Sequence, residues 1–283
     1  MKKIIVFAAA LLLPFIVWGQ AQIDTKKVKI GDFSQKITKV VLTGNPFHDG
    51  CLKSDIAAKW HASSFEFCTM EEYEKLKSDD SYYFLLTTKG QFRKETEPGL
   101  TFLTLVKGGK KAEEGIDEML EIVSFPFASA ESPSGREYVF LQAIIDIIQN
   151  YALSSMERDI DAYVGLPNYS INISKSGNMT LVFSETDIAG DVTPDVKNSC
   201  FDENVLVLPE EEADEYLSPE KDNTLVSYVV APSDAKPGSF CYKMLIDPKV
   251  NTLYYFRKHK ISKKYGAGFL AEDIRRITLP RKK

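Results

Sequence analysis

The feature that most constrains the fold is an order of strand-like and helix-like segments that occurs twice, about 140 residues apart. Residues 65–67 and 205–207 are both strand-like, and an acidic helix start follows each of them. Few amino acids are identical between the two copies, so the evidence is the order and spacing of the elements. Because a repeated order of elements implies a repeated fold, the sequence predicts two related α/β units in tandem.

Each half is predicted to run strand, helix, strand, helix, strand, strand. The fold class is therefore α/β, with α+β as the alternative. The first unit is expected to have these elements at 37–43, 50–60, 63–68, 70–77, 81–88 and 100–107. The second is expected to have them at 178–186, 192–199, 203–208, 209–217, 223–231 and 239–247. An extra hairpin strand at 252–257 and a basic helix at about 268–276 are predicted to close the second unit.

The most apolar segment after the leader predicts a long buried helix from about 135 to 160, joining the two units. Ser134 and Glu137 have the spacing of a capping box, and apolar residues follow at helical spacing. The stripe comprises Tyr138, Leu141, Ile145, Ile148 and Ala152, widened by Phe140, Ile144, Ile147 and Tyr151. A shorter helix is predicted at 111–122. The expected divisions are a first unit at 22–128, a connecting region at 129–167 and a second unit at 168–283.

The amino terminus has the three parts of a secretory leader. Lys2 and Lys3 precede the uncharged stretch 4–18, and Gly19-Gln20-Ala21 places small residues where a signal peptidase cleaves. The sequence thus predicts a signal peptide at 1–21 and an exported chain, periplasmic or extracellular, that begins at Gln22. The alternative is a retained membrane anchor, which the shortness of the stretch disfavours. No cysteine precedes Cys51, so a lipid anchor is not expected, and no later stretch predicts a transmembrane segment.

The composition is that of an ordinary globular chain, with 44% apolar and 27% charged residues and a net charge of −5. These values exclude collagen-like, wholly disordered and multi-span membrane proteins. Positive charge is concentrated at residues 257–283, with ten Lys or Arg against Glu272 and Asp273. Such an end can meet an anionic surface or nucleic acid, lie on the acidic body of the protein, or be solvated. Export argues against nucleic acid and favours the last two.

Cys51, Cys68, Cys200 and Cys241 make an even number of cysteines in a chain predicted to be exported. They allow two disulfides in three pairings, and free buried thiols are the equal alternative. The sequence contains no CxxC pair, so neither a zinc ribbon nor a thioredoxin-type motif is supported.

No motif of recognised chemistry is present, so the sequence assigns no catalytic, cofactor-binding or metal-binding residue. His48, Asp49 and Cys51 are the best candidates for a small site, because they follow the first strand, where ligands bind in α/β sheets. The alternative is a polar loop that caps a helix. Gly266 and Gly268 predict either a phosphate cradle or a lead-in to the last helix, and the lead-in is favoured.

Aromatic and acidic clusters offer two further hypotheses. The aromatic runs at 82–84 and 254–256 can stack a sugar or a peptide, although strands favour aromatic residues in any case. The acidic runs at 71–72, 79–80 and 210–212 are interpreted as helix caps and solvated faces. Paired carboxylates that act on sugars must face each other across a cleft, whereas these are sequence neighbours.

Two resemblances agree with export. The Gly-Gln-Ala-Gln segment at 19–22 resembles the leader ends of exported proteins from Bacteroidetes-type bacteria. The order of elements in each half is similar to that of small α/β modules in periplasmic assembly proteins, such as the amino-terminal domain of TolB. The second resemblance is one of pattern, rests on no motif residue, and implies no function and no site.

The function expected from these observations is non-catalytic binding or assembly in the cell envelope. The expected partner is another envelope protein or an envelope surface, with no cofactor, and the oligomeric state stays open. One alternative is an envelope hydrolase with a site near His48 and Asp49. A second alternative is a binder of small ligands or carbohydrates that uses the strand aromatics.

Overall fold

The computed structural model describes residues 26–92, 95, 97–218 and 220–282. The signal peptide predicted at 1–21 lies outside the described residues. Three groups of elements follow one another along the described chain. The first comprises α1 (Lys26–Ile30), β1 (Ile37–Val41), α2 (Pro46–Lys59), β2 (Ser64–Cys68), α3 (Met70–Leu76), β3 (Tyr82–Gly90), β4 (Leu100–Lys107) and β5 (Leu120–Ser129). The linker comprises α4 (Arg136–Val139), α5 (Leu141–Glu157) and α6 (Asp159–Val164). The last comprises β6 (Thr180–Ser184), α7 (Pro194–Cys200), β7 (Val205–Leu208), α8 (Glu210–Asp214), β8 (Thr224–Val230), β9 (Phe240–Asp247), β10 (Thr252–Lys260) and α9 (Ala271–Thr278).

The two sheets have the same topology, which confirms the predicted α/β fold with two similar units. The strand orders are β2-β1-β3-β4-β5 and β7-β6-β8-β9-β10. In each sheet the first three strands pair in parallel and the last two add antiparallel. Mixed sheets of this kind arise when helical crossovers join the first strands and hairpins join the last.

A β-bulge recurs at the same place in both closing hairpins. In the first, the register shifts so that Ile122 has no partner, and in the second Tyr254 is left out in the same way. The bulge lies opposite Leu105 on β4 in the first hairpin and opposite Leu245 on β9 in the second. These two residues are 140 positions apart, which is the offset of the repeat. A bulge is a specific local feature of a strand pair, so its recurrence supports duplication more strongly than strand order alone.

The closing hairpin is therefore not an addition to the second unit, and the helix predicted at 111–122 is wrong. Residues in this stretch form two short 3-10 turns, Lys110–Glu114 and Ile116–Glu118, before β5 begins at Leu120. Gly115 lies between the turns with φ 130°, a conformation that ends a helix. The run Lys-Ala-Glu-Glu has high helix propensity, but pairing with β4 decides the outcome for the residues that follow.

The linker helix is buried as predicted, although it is divided into three pieces. Phe140 separates α4 from α5, and Arg158 has an extended backbone (φ −130°, ψ 115°) that ends α5. The main piece, α5, packs against α2 and against the edge strands of both sheets. Phe140 stacks on Tyr228 of the second sheet with ring centroids 4.2 Å apart. One continuous apolar cluster thus includes α5 and residues from both units.

None of the four cysteines forms a disulfide, so the free-thiol alternative holds in this structure. Cys68, Cys200 and Cys241 are buried, and Cys51 is half-buried. Burial raises the pKa of Cys68 and of Cys241 to about 11, which disfavours the thiolate in both. Among the described helices, none has the length and apolar character needed to cross a bilayer.

Candidate functional site

The shared topology creates two equivalent crevices. In a sheet of order 2-1-3, ligands bind beyond the carboxyl ends of the first and third strands, where the chain direction around the sheet reverses. One crevice lies beyond β1 and β3, and the other lies beyond β6 and β8. The short helix α4 contributes to both, because Tyr138 contacts His48 in the first and Arg136 contacts Asp187 in the second.

The first crevice is filled by His48, which the sequence singled out. Its helix begins earlier than predicted: α2 starts at Pro46, capped by Asn45, so His48 lies in the first helical turn. Only 6% of His48 is exposed. Its Nδ1 lies 3.2 Å from the Tyr138 hydroxyl, and its Nε2 lies 3.1 Å from Thr87 Oγ1. Burial lowers the pKa of His48 and outweighs the opposite influence of nearby carboxylates.

Asp49 holds the loop that leads into the same helix. Its Oδ1 accepts hydrogen bonds from the backbone N–H and hydroxyl of Thr43 at 2.8 and 2.9 Å, and its Oδ2 accepts one from the Gly44 N–H at 2.9 Å. Burial alone would raise the pKa of Asp49, but these hydrogen bonds outweigh it and lower the pKa. Both His48 and Asp49 are thus occupied in holding the crevice together, which is a structural role.

The second crevice contains a cavity of about 270 Å³. Carboxylates line it together with the hydroxyl groups of serine and threonine, and valine and alanine side chains complete the wall. The lining residues that matter for recognition are Ser132, Ser134, Arg136, Glu137, Thr186, Asp187, Glu210 and Ser233. This volume lies just below the usual range for small-molecule pockets, which begins at about 300 Å³.

Arg136 is the buried cation of this crevice, and only 7% of it is exposed. Its Nη1 donates to both oxygens of Asp187 at 3.0 and 3.1 Å, while Nε and Nη2 donate to Asp214 at 2.8 to 3.0 Å. Nη2 also donates to the backbone oxygen of Ser227 at 3.0 Å. Burial disfavours its charge, but the two aspartates outweigh that effect and raise the pKa of Arg136 further. The guanidinium is therefore fully engaged by the protein.

Glu137 is the unusual member of the cavity lining. It is 2% exposed. Its Oε2 accepts from the Gly135 N–H at 3.0 Å and from the Ser134 hydroxyl at 3.3 Å. Its Oε1 is buried and has no hydrogen-bond partner among the described residues. A buried carboxylate oxygen without a donor costs free energy, so in native proteins it needs an explanation such as a ligand.

Local sequence explains why these two side chains lie here. Gly135 adopts φ 92°, and this left-handed residue turns the chain sharply into α4. The predicted capping box is present in altered form: Ser134 Oγ accepts from the Arg136 N–H rather than from that of Glu137. The short helix then directs Arg136 and Glu137 to the second crevice and Tyr138 to the first.

The other predicted sites have structural roles. Gly268 packs so closely that an added Cβ would lie 2.7 Å from the backbone oxygen of Asp187, and its N–H donates to Cys241 Sγ. This close packing explains why position 268 is a glycine, and because its N–H is bonded to Cys241 it is not available to a phosphate.

The two aromatic runs contribute to the core: Tyr83, Phe84, Tyr255 and Phe256 are all buried. At the basic end, Arg257 and Arg276 pair with Glu272, an acid of the same segment.

Sequence reasoning missed Asp187 and Asp214 and assigned Glu210 to a solvated helix start. Glu210 instead lines the cavity with its Oε2 3.8 Å from Arg136 Nη1. One sequence signal could have indicated the site. Arg136 and Glu137 directly precede the most apolar helix, and charged side chains that are buried there need partners of opposite charge or hydrogen bonds. Comparisons with protein-family models, with curated proteins and with solved structures each gave no match to this chain.

Proposed function

We propose that this chain is a non-catalytic binding protein whose second crevice takes a small ligand with a positively charged amino group. The observation that carries the proposal is the buried Glu137 Oε1, which has no donor among the described residues and belongs to a side chain that borders the cavity. An ammonium group carries three N–H donors and a positive charge, so it satisfies this oxygen and balances the carboxylate.

The charge balance of the cavity supports the same ligand. Arg136 is the one cation among the residues that line it, against the carboxylates of Glu137, Asp187 and Glu210. Arg136 is bonded to Asp187 and Asp214, and its Nη1 also lies 3.8 Å from Glu210 Oε2. Its single positive charge is therefore shared among three carboxylates, and Glu137 has no ion pair with a cation among the described residues. Glu210 is partly exposed, so its side chain carries negative charge at the solvent-accessible part of the cavity wall. Negative charge at an entrance attracts cations and repels anions.

The arrangement favours binding over catalysis. Asp187 is a buried acid that is held by Arg136 and by the Ser227 hydroxyl at 2.5 Å, so both of its oxygens are already bonded within the protein. Burial raises the pKa of Asp187. An exported location belongs to the proposal, supported by the leader predicted at 1–21. The binding or assembly partner in the envelope would then present or supply the amine.

Isothermal titration calorimetry with paired probes tests the proposal. Putrescine, lysine and butylamine are titrated into the protein, each against a neutral analogue such as butanol or N-acetylbutylamine. At least one amine should bind with a Kd below about 1 mM, while the neutral analogues should not. Glu137→Gln removes the charge with little change of shape and should weaken binding at least tenfold. Glu203→Gln, at an exposed position in the same unit, is the matched control. Equal binding of amines and neutral analogues would overturn the proposal.

A further inference from the structure

A second site candidate lies where the closing hairpin of the first unit meets the linker and the second unit. Two cavities, of about 330 and 290 Å³, share Phe102, Glu121, Ser124 and Tyr242 in their walls. Together they form a groove that follows the hairpin strands β4 and β5 and is bordered by Tyr242 of the second unit. We call this the hairpin groove.

Three hydroxyl groups form a ladder in the wall of the hairpin groove. Thr88 Oγ1 on β3 lies 2.8 Å from Thr104 Oγ1 on β4, which in turn lies 3.0 Å from Ser124 Oγ on β5. All three residues line the cavity of about 290 Å³. The ladder ends at Glu121, whose Oε2 accepts from the Ser124 hydroxyl at 2.9 Å.

The β-bulge is what brings Glu121 to the ladder. Residues three apart on a regular strand point to opposite faces, because side chains alternate. Ile122 has no partner in the register, so Glu121 and Ser124 lie on the same face and their side chains meet. In the second unit the bulge likewise places Leu253 and Phe256 in one apolar cluster. The position equivalent to the ladder serine is thus an aromatic core residue, and only the first unit has this ladder among the described residues.

The carboxylate sets the direction of the whole ladder. An ionised Glu121 is an acceptor only, so Ser124 must donate its proton to it. Thr104 then donates to Ser124, and Thr88 donates to Thr104. Each hydroxyl has used its single donor within the ladder, so each can offer a ligand only acceptor lone pairs; Thr88 and Ser124 are half-buried, and Thr104 between them is buried. The ladder therefore offers a row of acceptors, spaced like neighbouring hydroxyls on a sugar ring.

Apolar side chains and one unpaired hydroxyl complete the groove. Phe102, Val106 and Met119 lie among its lining residues. Phe102 meets Tyr242 edge to face, with ring centroids 5.7 Å apart. Tyr242 is 7% exposed, and its hydroxyl makes no hydrogen bond with any residue in the described part of the chain. Burial raises the pKa of Tyr242 to about 12, so it stays protonated and able to donate.

We infer that the hairpin groove binds a neutral oligosaccharide. A sugar presents hydroxyl donors on its edge and C–H groups on its face, and it matches a row of acceptors beside an apolar wall. The unpaired Tyr242 hydroxyl supplies a donor to a sugar oxygen. This inference is independent of the amine-binding crevice, because the two sets of lining residues have no member in common.

Titration of the full protein with cellohexaose, maltohexaose and the hexamer of N-acetylglucosamine tests the inference by calorimetry or NMR. At least one of the three should bind with a Kd below about 1 mM. Glu121→Gln keeps the shape but adds donors that can reverse the ladder, so it should weaken binding at least fivefold. Glu118→Gln, an exposed neighbour outside the ladder, should leave the affinity unchanged.

Thr104→Val interrupts the ladder at its centre, and circular dichroism checks that the variant is folded. Should it fail to fold, the exposed Glu121→Gln variant still decides the question. Glu137→Gln should not alter sugar binding, which separates this inference from the proposed function. Failure of all three sugars to bind at about 10 mM would overturn it, as would equal effects of Glu121→Gln and Glu118→Gln.

Discussion

Arg136 and Asp187 form a buried ion pair, in which the one nitrogen Nη1 lies 3.0 and 3.1 Å from the two carboxylate oxygens. The pair joins the linker helix α4 to the loop after the first strand of the second unit. It fixes the position of Glu137, the next residue, and therefore the geometry on which amine binding depends. Mutation of either residue can measure how much the pair contributes to the free energy of unfolding.

Replacing Arg136 by Met should lower the free energy of unfolding by about 3–5 kcal/mol, because it leaves Asp187 and Asp214 buried without their cation. Denaturant titration measures the change, with the exposed Arg158→Met as control. Adding Asp187→Leu to Arg136→Met should recover part of the loss, since an apolar pair of similar size avoids the unpaired charge. A loss below about 1 kcal/mol in the single variant would show that the pair does not hold the crevice together.

The burial of His48 predicts a pH-dependent contribution to stability. Its pKa in the folded protein lies below the ordinary 6.5, so the unfolded chain binds the proton more tightly. The contribution is fully present above pH 6.5 and is lost as the pH falls below that value. The unfolding free energy of the protein should therefore fall more steeply between pH 7 and about pH 5 than that of His48→Gln. Parallel pH profiles of the two proteins, or a steeper profile for the variant, would contradict the assignment; His61→Gln, at an exposed position, is the control.

The contrast between Gly268 and Gly266 tests whether close packing explains the first of them. Gly268 has φ 104°, and a Cβ there would meet backbone atoms of Asp187 and Ala189 at 2.7 and 2.8 Å. Gly268→Ala should therefore destabilise the protein by about 2–3 kcal/mol. At Gly266 nothing lies within 4 Å of an added Cβ, so Gly266→Ala should change the melting temperature little. Similar melting temperatures for the two variants would refute the packing explanation.

The leader predicts a defined amino terminus after export. Expressed with residues 1–21 in a bacterium with an outer membrane, the chain should be recovered outside the cytoplasm beginning at Gln22. Intact-mass spectrometry of the recovered protein measures this directly. A chain that keeps residues 1–21 and fractionates with the membrane would instead support the retained anchor.

The fold was predictable from the sequence wherever the spacing of apolar residues reveals a buried face. The two copies of the element order and the apolar stripe of α5 both correspond to buried faces, and both predictions hold. The start of the strand β5 is hidden in the sequence because the residues before it have helix-forming composition, although Gly115 among them disfavours a helix. Pairing with a neighbouring strand is a long-range interaction that local propensity does not contain.

The sequence predicted a site beyond the carboxyl ends of strands, but it indicated the crevice of the first unit rather than that of the second. The rule that ligands bind beyond the carboxyl ends of strands pointed to His48 in the first crevice, which turned out to be filled by side chains. The cavity lies in the equivalent crevice of the second unit. Its partners for Arg136 lie 51 and 78 residues away along the chain, so no local pattern connects them.

A crystal structure of the protein soaked with the tightest-binding amine tests the central claim most directly. The account predicts the ammonium nitrogen in the second crevice, at about 2.7–3.2 Å from Glu137 Oε1, with Arg136 still bonded to Asp187 and Asp214. A crystal in which Glu137 Oε1 accepts a hydrogen bond from a protein donor and the amine lies elsewhere would contradict it.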